Sequence, residues 1–194
     1  MTRGLALSEE ILALVASDRC GRSLSMLCSP RIFEEALALL ETSSRPVIVT
    51  GFFVPSSGAP ETDGPPGAAV LARALRRMER DPVVVTDRWN EKAVDVSCRV
   101  VGLQPPMVAR RPGEVLALEP DLVVFVERLG KNGDGRYYNM RGEDISRCTD
   151  PLDDLAGLAM EGGIPVLAIG DGGNEAGMAR LMPGMGEVLP GFSH

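Results

Sequence analysis

Short apolar runs separated by longer amphipathic stretches organise the chain. Pro46 introduces Val47-Ile48-Val49, and Val83-Val84-Val85, the run over 122–126 and the run over 165–169 repeat the pattern. Each run is continuous rather than alternating, as in strands covered on both faces. Between them, apolar residues recur at helical spacing. Val70, Leu71, Ala74, Leu75 and Met78 make the inner stripe of a helix over 67–80, with Arg73, Arg76, Arg77 and Arg80 outside. Further helices are predicted over 114–118 and 151–160, and residues 93–101 suit a short strand or a helix. The segment 102–113, with Pro105, Pro106 and Pro112, reads as loop.

Ahead of the first strand, Ser8 caps a helix reaching about Ser17, with Glu9 and Glu10 in its first turn and Leu12 and Val15 on its apolar face. A break at Cys20-Gly-Arg-Ser follows. Pro30 then opens a helix over 30–40 carrying Ile32, Phe33, Ala36, Leu37 and Leu40 at helical spacing. Strands alternate with helices at least four times, without hairpin signals. The expected fold is α/β: a mainly parallel sheet with right-handed crossovers and helices on both faces, a three-layer, Rossmann-like arrangement. One domain over 1–194 is expected, with the helices of 1–45 packing on it and an irregular tail over 182–194.

In a parallel sheet the loops after the strands share one rim, where open α/β sheets bind ligands. Those loops carry the chain's conspicuous polar residues. After the first strand come Thr50 and then Glu61, Thr62, Asp63 and Gly64. After the second come Asp87 and Arg88. After the third come Glu127 and Arg128, and beyond them Asn132, Asp134, Tyr138, Asn139 and Arg141. After the last come Asp171, Gly172, Asn174 and Glu175. Each cluster has a local alternative. Glu61-Thr-Asp-Gly either caps the next helix or presents that helix's amides to a carboxylate or phosphate. Asp171-Gly-Gly-Asn-Glu is a capped turn or part of a cation site.

Composition removes several chemistries. Aromatics are 4% of the chain, so the core is aliphatic, and a net charge of −7 argues against a nucleic-acid or anionic-membrane partner. No apolar run approaches the ~20 residues of a membrane helix, and the acidic N-terminus lacks a signal core. The four cysteines, Cys20, Cys28, Cys98 and Cys148, are scattered without a Cys-x-x-Cys, as in reduced intracellular-type thiols. The single histidine is His194, which excludes a Ser/His/Asp hydrolase. Cys148 is a structural thiol or a nucleophile without a base. Gly170-x-Gly172 lacks the third glycine of a dinucleotide fingerprint, and Gly130-Lys131 lacks the Ser or Thr of a phosphate-binding loop. What remains is a site of carboxylates, amides and arginines suited to a small polar acid and to acid–base work by Asp or Glu.

Four motifs, TGFFVPSSGAPETDGPPGA, VTDRWN, ERLGKNGDGRYYNMRGEDIS and AIGDGGNEAGM, resemble in order and spacing the D-glutamate cyclase family, the C-terminal cyclase-like domain that also occurs alone in bacteria. The resemblance spans about 19–178. It implies conversion of D-glutamate to 5-oxo-D-proline with loss of water, a hydro-lyase reaction. On chemical grounds Asp63 or Glu61 would be base and Glu127 or Asp171 acid. Thr50, Thr62, Asn139 and Asn174 would orient the substrate, and Arg128 and Arg141 would cradle its α-carboxylate. Gly64, Asp87, Asn132, Tyr138, Gly172 and Glu175 complete the expected binding set. The partner is then D-glutamate, with no nucleic acid and no membrane. A divalent cation and a homo-oligomer are left open. The competing classes are a non-catalytic module binding a small acidic metabolite and a metal-dependent phosphate-ester enzyme using Asp171 and Glu175. The resemblance places the chain in the cytoplasm of a bacterium or the mitochondrial matrix of a eukaryote. Family members continue into another strand and a Ser-Asn-Trp-Gly segment. The sheet is therefore expected to lack the family's C-terminal strand, as in a truncated, spliced or divergent form whose exposed edge would invite association.

Overall fold

A computed structural model describes residues 9–14, 17 and 29–178. The expectations for the cap at Ser8, the Cys20 break, Cys28, the tail over 182–194 and a missing last strand lie outside these residues. The chain divides into two compact units, Met1–Thr42 with Ala179–His194, and Ser43–Met178. In the first, residues 9–14 are helical (α1) and Pro30–Thr42 forms α2. Ser29 caps α2, its Oγ accepting the Ile32 amide at 3.3 Å.

The second unit holds the sheet. Its strands are β1 (Pro46–Gly51), β4 (Val83–Thr86), β5 (Met107–Val108), β6 (Leu122–Arg128) and β7 (Val166–Ile169). They lie in the order β5-β4-β1-β6-β7, and every pairing is parallel. The chain builds outward from β1 through β4 to β5, then returns to the other side of β1 for β6 and β7. That reversal leaves a crevice above the C-terminal ends of β1 and β6, the switch point at which such sheets bind ligands.

Helices cover both faces. Val47, Val49, Val85, Val123 and Phe125 pack on Val115 of α5 (Pro112–Leu116) and on Leu152, Leu155 and Ala159, which belong to a 3-10 turn (Leu152–Asp154) and α6 (Leu155–Glu161). The opposite face carries α3 (Gly64–Arg77), which contacts β1, β4 and β6, and α4 (Glu91–Val100), which packs beside α3. The buried positions of α3 include Ala68, Ala69 and Ala72. Side chains this small let the helix axis lie close to the strands.

The fold departs from expectation in several places. Residues 93–101, left open between strand and helix, fall in α4 up to Val100. The stretch read as loop over 102–113 contains β5, two residues between proline-rich flanks and too short to show a pattern. The loop after β1 contains a ribbon in which β2 (Phe53–Val54) pairs antiparallel with β3 (Ala59–Pro60). Its turn, Pro55-Ser-Ser-Gly58, closes with Gly58 at φ 63°, so a hairpin signal was present in the Pro/Gly cluster. Helix α3 begins at Gly64 rather than 67, and β6 runs on past Val126 to take in Glu127 and Arg128.

Candidate active site

The register of β6 against β1 slips at its end. Thr50 lies opposite Val126 and Gly51 opposite Arg128, so Glu127 is an extra residue, a β-bulge. Its backbone sits at φ 46°, a left-handed conformation that costs a residue with a Cβ about 1–3 kcal/mol. The bulge re-aims two neighbouring side chains. Glu127 turns toward the start of α3, and Arg128 turns under the rim.

Around Glu127 the acidic residues from the other loops converge. Carboxylate oxygens of Glu61, Asp63 and Glu127 lie within 4.8 Å of one another, as do those of Glu127, Asp171 and Glu175. All four residues expected to do acid–base chemistry therefore meet at one carboxyl group. Burial, first, and then the charges of Glu175, Asp171, Asp63 and Glu61 push Glu127 from an ordinary 4.5 to about 8. It holds a proton at neutral pH.

The last loop is built by Glu175. Its Oε1 accepts the Gly172 amide at 2.7 Å and its Oε2 the Gly173 amide at 2.6 Å. Backbone bonds from Gly130 to Asn174 (2.9 Å) and from Ala176 to Arg128 (2.7 Å) zip this loop onto the end of β6. A Cβ on Gly172 would lie 2.6 Å from Glu175 Oε1, so only glycine admits the clamp. Glu175 thus shapes the loop, while exposed Asp171 faces the cluster. Asn174 Nδ2 donates to the Tyr138 carbonyl at 2.9 Å, and its Oδ1 is buried without a partner.

At the start of α3 the capping alternative holds. Asp63 Oδ1 accepts the Gly64 amide at 2.8 Å, the Asp63 carbonyl accepts the Gly67 amide at 3.1 Å, and Pro65 and Pro66 have no N–H. No amide of that first turn is left for an anion. A Cβ on Gly64 would come within 2.9 Å of both Glu127 Cβ and Thr50 Oγ1. Alanine is the better helix former, so Gly64→Ala would stabilise if the contact relaxed. We expect overpacking to win by about 1–3 kcal/mol, read as a lower urea midpoint; a midpoint at or above wild type would refute the tight fit.

Arg128 and Asp87, expected to touch substrate, do not line the site. Both side chains are fully buried and pair at 2.7 Å. Arg128 also donates to the carbonyls of Gly51 (3.1 Å) and Asp150. Asp87 Oδ1 accepts from the Trp89 and Asn90 amides and from Asn90 Nδ2. Together they tie the ends of β1, β4 and β6 beneath the rim. Thr50 is likewise sealed, its Oγ1 unpaired, with no exposed surface.

The segment over 129–146 is an ordered hairpin-like loop. Phe52, Leu129, Tyr137, Ile145 and Cys148 form a second small core beneath it. The Tyr137 hydroxyl donates to Asp153, and Lys131 pairs with Asp154. Most of its expected ligand groups serve the loop itself. Asn132 Oδ1 takes the Gly133 amide, the Tyr138 hydroxyl donates to Asp134, and Asn139 Oδ1 takes the Arg141 and Glu143 amides. Arg141 is exposed. Met140, not expected, also reaches the last loop, its sulfur 3.4 Å from where a Gly172 Cβ would be. Cys148 is buried, its thiol bonded to the Ile145 carbonyl at 3.2 Å and pushed up by burial, as a structural thiol is.

Beside the cluster an open groove of about 450 Å³ runs between the start of α3 and α4, with Glu61, Thr62 and Lys92 on its lining. Just ahead of α4 the Trp89 ring packs, tilted by 47°, with its centre 5.7 Å from that of Phe53 of the ribbon and the Arg88 guanidinium 5.0 Å from its own centre. For a cation, the two carboxylate triads sharing Glu127 are the sets on offer among the described residues. No helix among those residues is long and apolar enough to cross a membrane.

Along most of its length the chain matches known proteins. The family model described as D-glutamate cyclase-like, C-terminal, matches residues 11–193. The mitochondrial D-glutamate cyclase of Homo sapiens is 33% identical over 195 residues, covering 89% of this chain and 32% of that protein. The chain thus spans about a third of that relative's length.

Proposed function

The chain belongs to the family of D-glutamate cyclase-like C-terminal domains, and from that premise we propose that it closes D-glutamate to 5-oxo-D-proline with release of water. The observation that carries the reading is the protonated Glu127 set among Glu61, Asp63 and Asp171. Ring closure needs a base and an acid at once. The α-ammonium must lose a proton before its nitrogen attacks the γ-carboxyl carbon, and Asp63 or Glu61 receives it. As the new C–N bond forms, the nitrogen gives up a second proton and a C–O bond of the γ-carboxyl breaks; the departing oxygen takes that proton and one from Glu127 to leave as water, and the proton held by Asp63 or Glu61 then returns to Glu127. Glu127, pushed up to about 8, holds a proton for it at neutral pH. Burial, and then the charges around it, set Glu127 up as the acid, which leaves the base role to Asp63 or Glu61.

A divalent cation on either triad is the competing use of the same carboxylates. A cation seated on Glu127 would displace its proton, so the two roles exclude each other there. The phosphate-ester alternative is disfavoured by α3, whose first turn has no amide to offer a phosphate. The test is incubation of the folded protein with D-glutamate and chiral detection of 5-oxoproline, with and without a chelator. Chelator-insensitive turnover supports the proton-transfer reading. Chelator-sensitive turnover makes Glu127 a ligand. Bound D-glutamate without product makes the chain a binding module. In the active protein, Asp63→Asn is expected to lower kcat by about 100-fold or more; retained turnover would pass the base role to Glu61.

A further inference from the structure

A cluster of five carboxylates is a poor receptor for an acid that carries two carboxylates of its own. One of them can approach Glu127 because Glu127 is neutral. The other needs a cation, and the arginine expected to supply it, Arg128, is sealed beneath the rim. The groove between α3 and α4 contains a different one. Pro60, Pro65 and Val96 give it apolar walls, Glu61 joins it to the carboxylate cluster, and Lys92 is the single cationic residue on its lining.

Lys92 has no local reason to be where it is. It sits in the first turn of α4, where the helix dipole disfavours a positive charge and where neighbouring Glu91 has the favoured sign. Its ammonium makes no hydrogen bond or ion pair with any described residue, and the side chain is exposed. A groove with an acidic end and a cationic end matches a ligand with an ammonium and a carboxylate on adjacent positions.

We propose that Lys92 binds the α-carboxylate of an acidic amino acid lying in this groove, with the ligand's amine at the Glu61–Asp63 pair and its side-chain carboxyl at Glu127. The assignment rests on the function proposed above, and it makes Lys92 a specificity-determining residue that touches the end of the substrate remote from the breaking bond. Loss of Lys92 therefore weakens binding and spares the chemical step.

The experiment compares wild type, Lys92→Gln and Lys92→Arg. D-glutamate and glutarate, a dicarboxylate of the same length without the amine, are titrated in by calorimetry, and turnover of D-glutamate is followed in parallel. Lys92→Gln is expected to weaken both ligands about tenfold and to raise KM about tenfold with kcat nearly unchanged, since an interaction made equally in ground and transition states is lost. Lys92→Arg should restore most of the affinity. Equal unfolding midpoints for the three proteins show that the variants fold. If wild type turns over D-glutamate and Lys92→Gln matches it in affinity and KM, the Lys92 assignment is overturned while the activity stands. If wild type forms no product but binds glutarate in a Lys92-dependent way, the groove assignment holds and the activity fails. Binding of neither ligand by wild type overturns both.

Discussion

Glu127→Gln is expected to leave a folded protein whose turnover of D-glutamate is lower by about 10²–10⁴-fold. Glutamine keeps the shape and the bulge but has no proton to give the departing oxygen. The wild-type rate should fall as pH rises through about 8, where Glu127 ionises among its neighbours. The same group gives a reading that needs no activity. Its folded-state value, about 8, lies above its ordinary 4.5. Below about 4.5 both the folded and the unfolded chain hold the proton, and the folded state's contribution is fully present. As pH rises toward 8 the unfolded chain gives up the proton and the folded chain does not. Stability drains away over that window and levels off above it. Glutamine does not titrate, so the variant should gain on wild type between about pH 5 and 8, measured as urea midpoints at several pH values. Parallel pH curves for the two proteins would mean that Glu127 is ionised in the fold, and the acid role would be lost with it.

Arg128→Met is expected to cost about 3–5 kcal/mol of folding stability, because it leaves the Asp87 carboxylate buried without its counter-charge. The contacts make the effect large. The guanidinium reaches Asp87 and the carbonyls of Gly51 and Asp150, all without solvent to take its place. Adding Asp87→Asn removes the orphaned charge while an amide oxygen still accepts from the Trp89 and Asn90 amides. The double variant should therefore recover part of the loss. Chemical denaturation of the two single variants and the double variant checks both statements. A single variant within about 1 kcal/mol of wild type would show that the pair is dispensable.

The contrast between these two neighbours marks where sequence reading stops. Four strands were legible because β-branched runs buried on both faces leave little else to be, and the polar residues at their ends pointed to one rim. Glu61, Asp63, Glu127 and Asp171 could be grouped on that basis alone, and the structure brings them together. Arg128 carries a charge at the same strand end and reads as the same kind of residue. Only the one-residue slip against β1 distinguishes it, and a slip of register is a property of two strands at once. Asn139 and Asn132 failed for a related reason: an asparagine that closes its own turn has the same letter as one that meets a ligand. Lys92 escaped notice because it follows the rim motif inside a helix, where a lysine ordinarily means a solvated face.

Trp89 is the only tryptophan in the chain. It stands at the rim, partly exposed, against Phe53 and Arg88, a few residues from the groove and not among the residues of the main core. Intrinsic fluorescence of this protein is consequently a local instrument. An emission change on adding a ligand reports events at the mouth of the crevice. An emission change in denaturant reports when the ribbon leaves the rim, which a far-ultraviolet signal from the helices and sheet records separately.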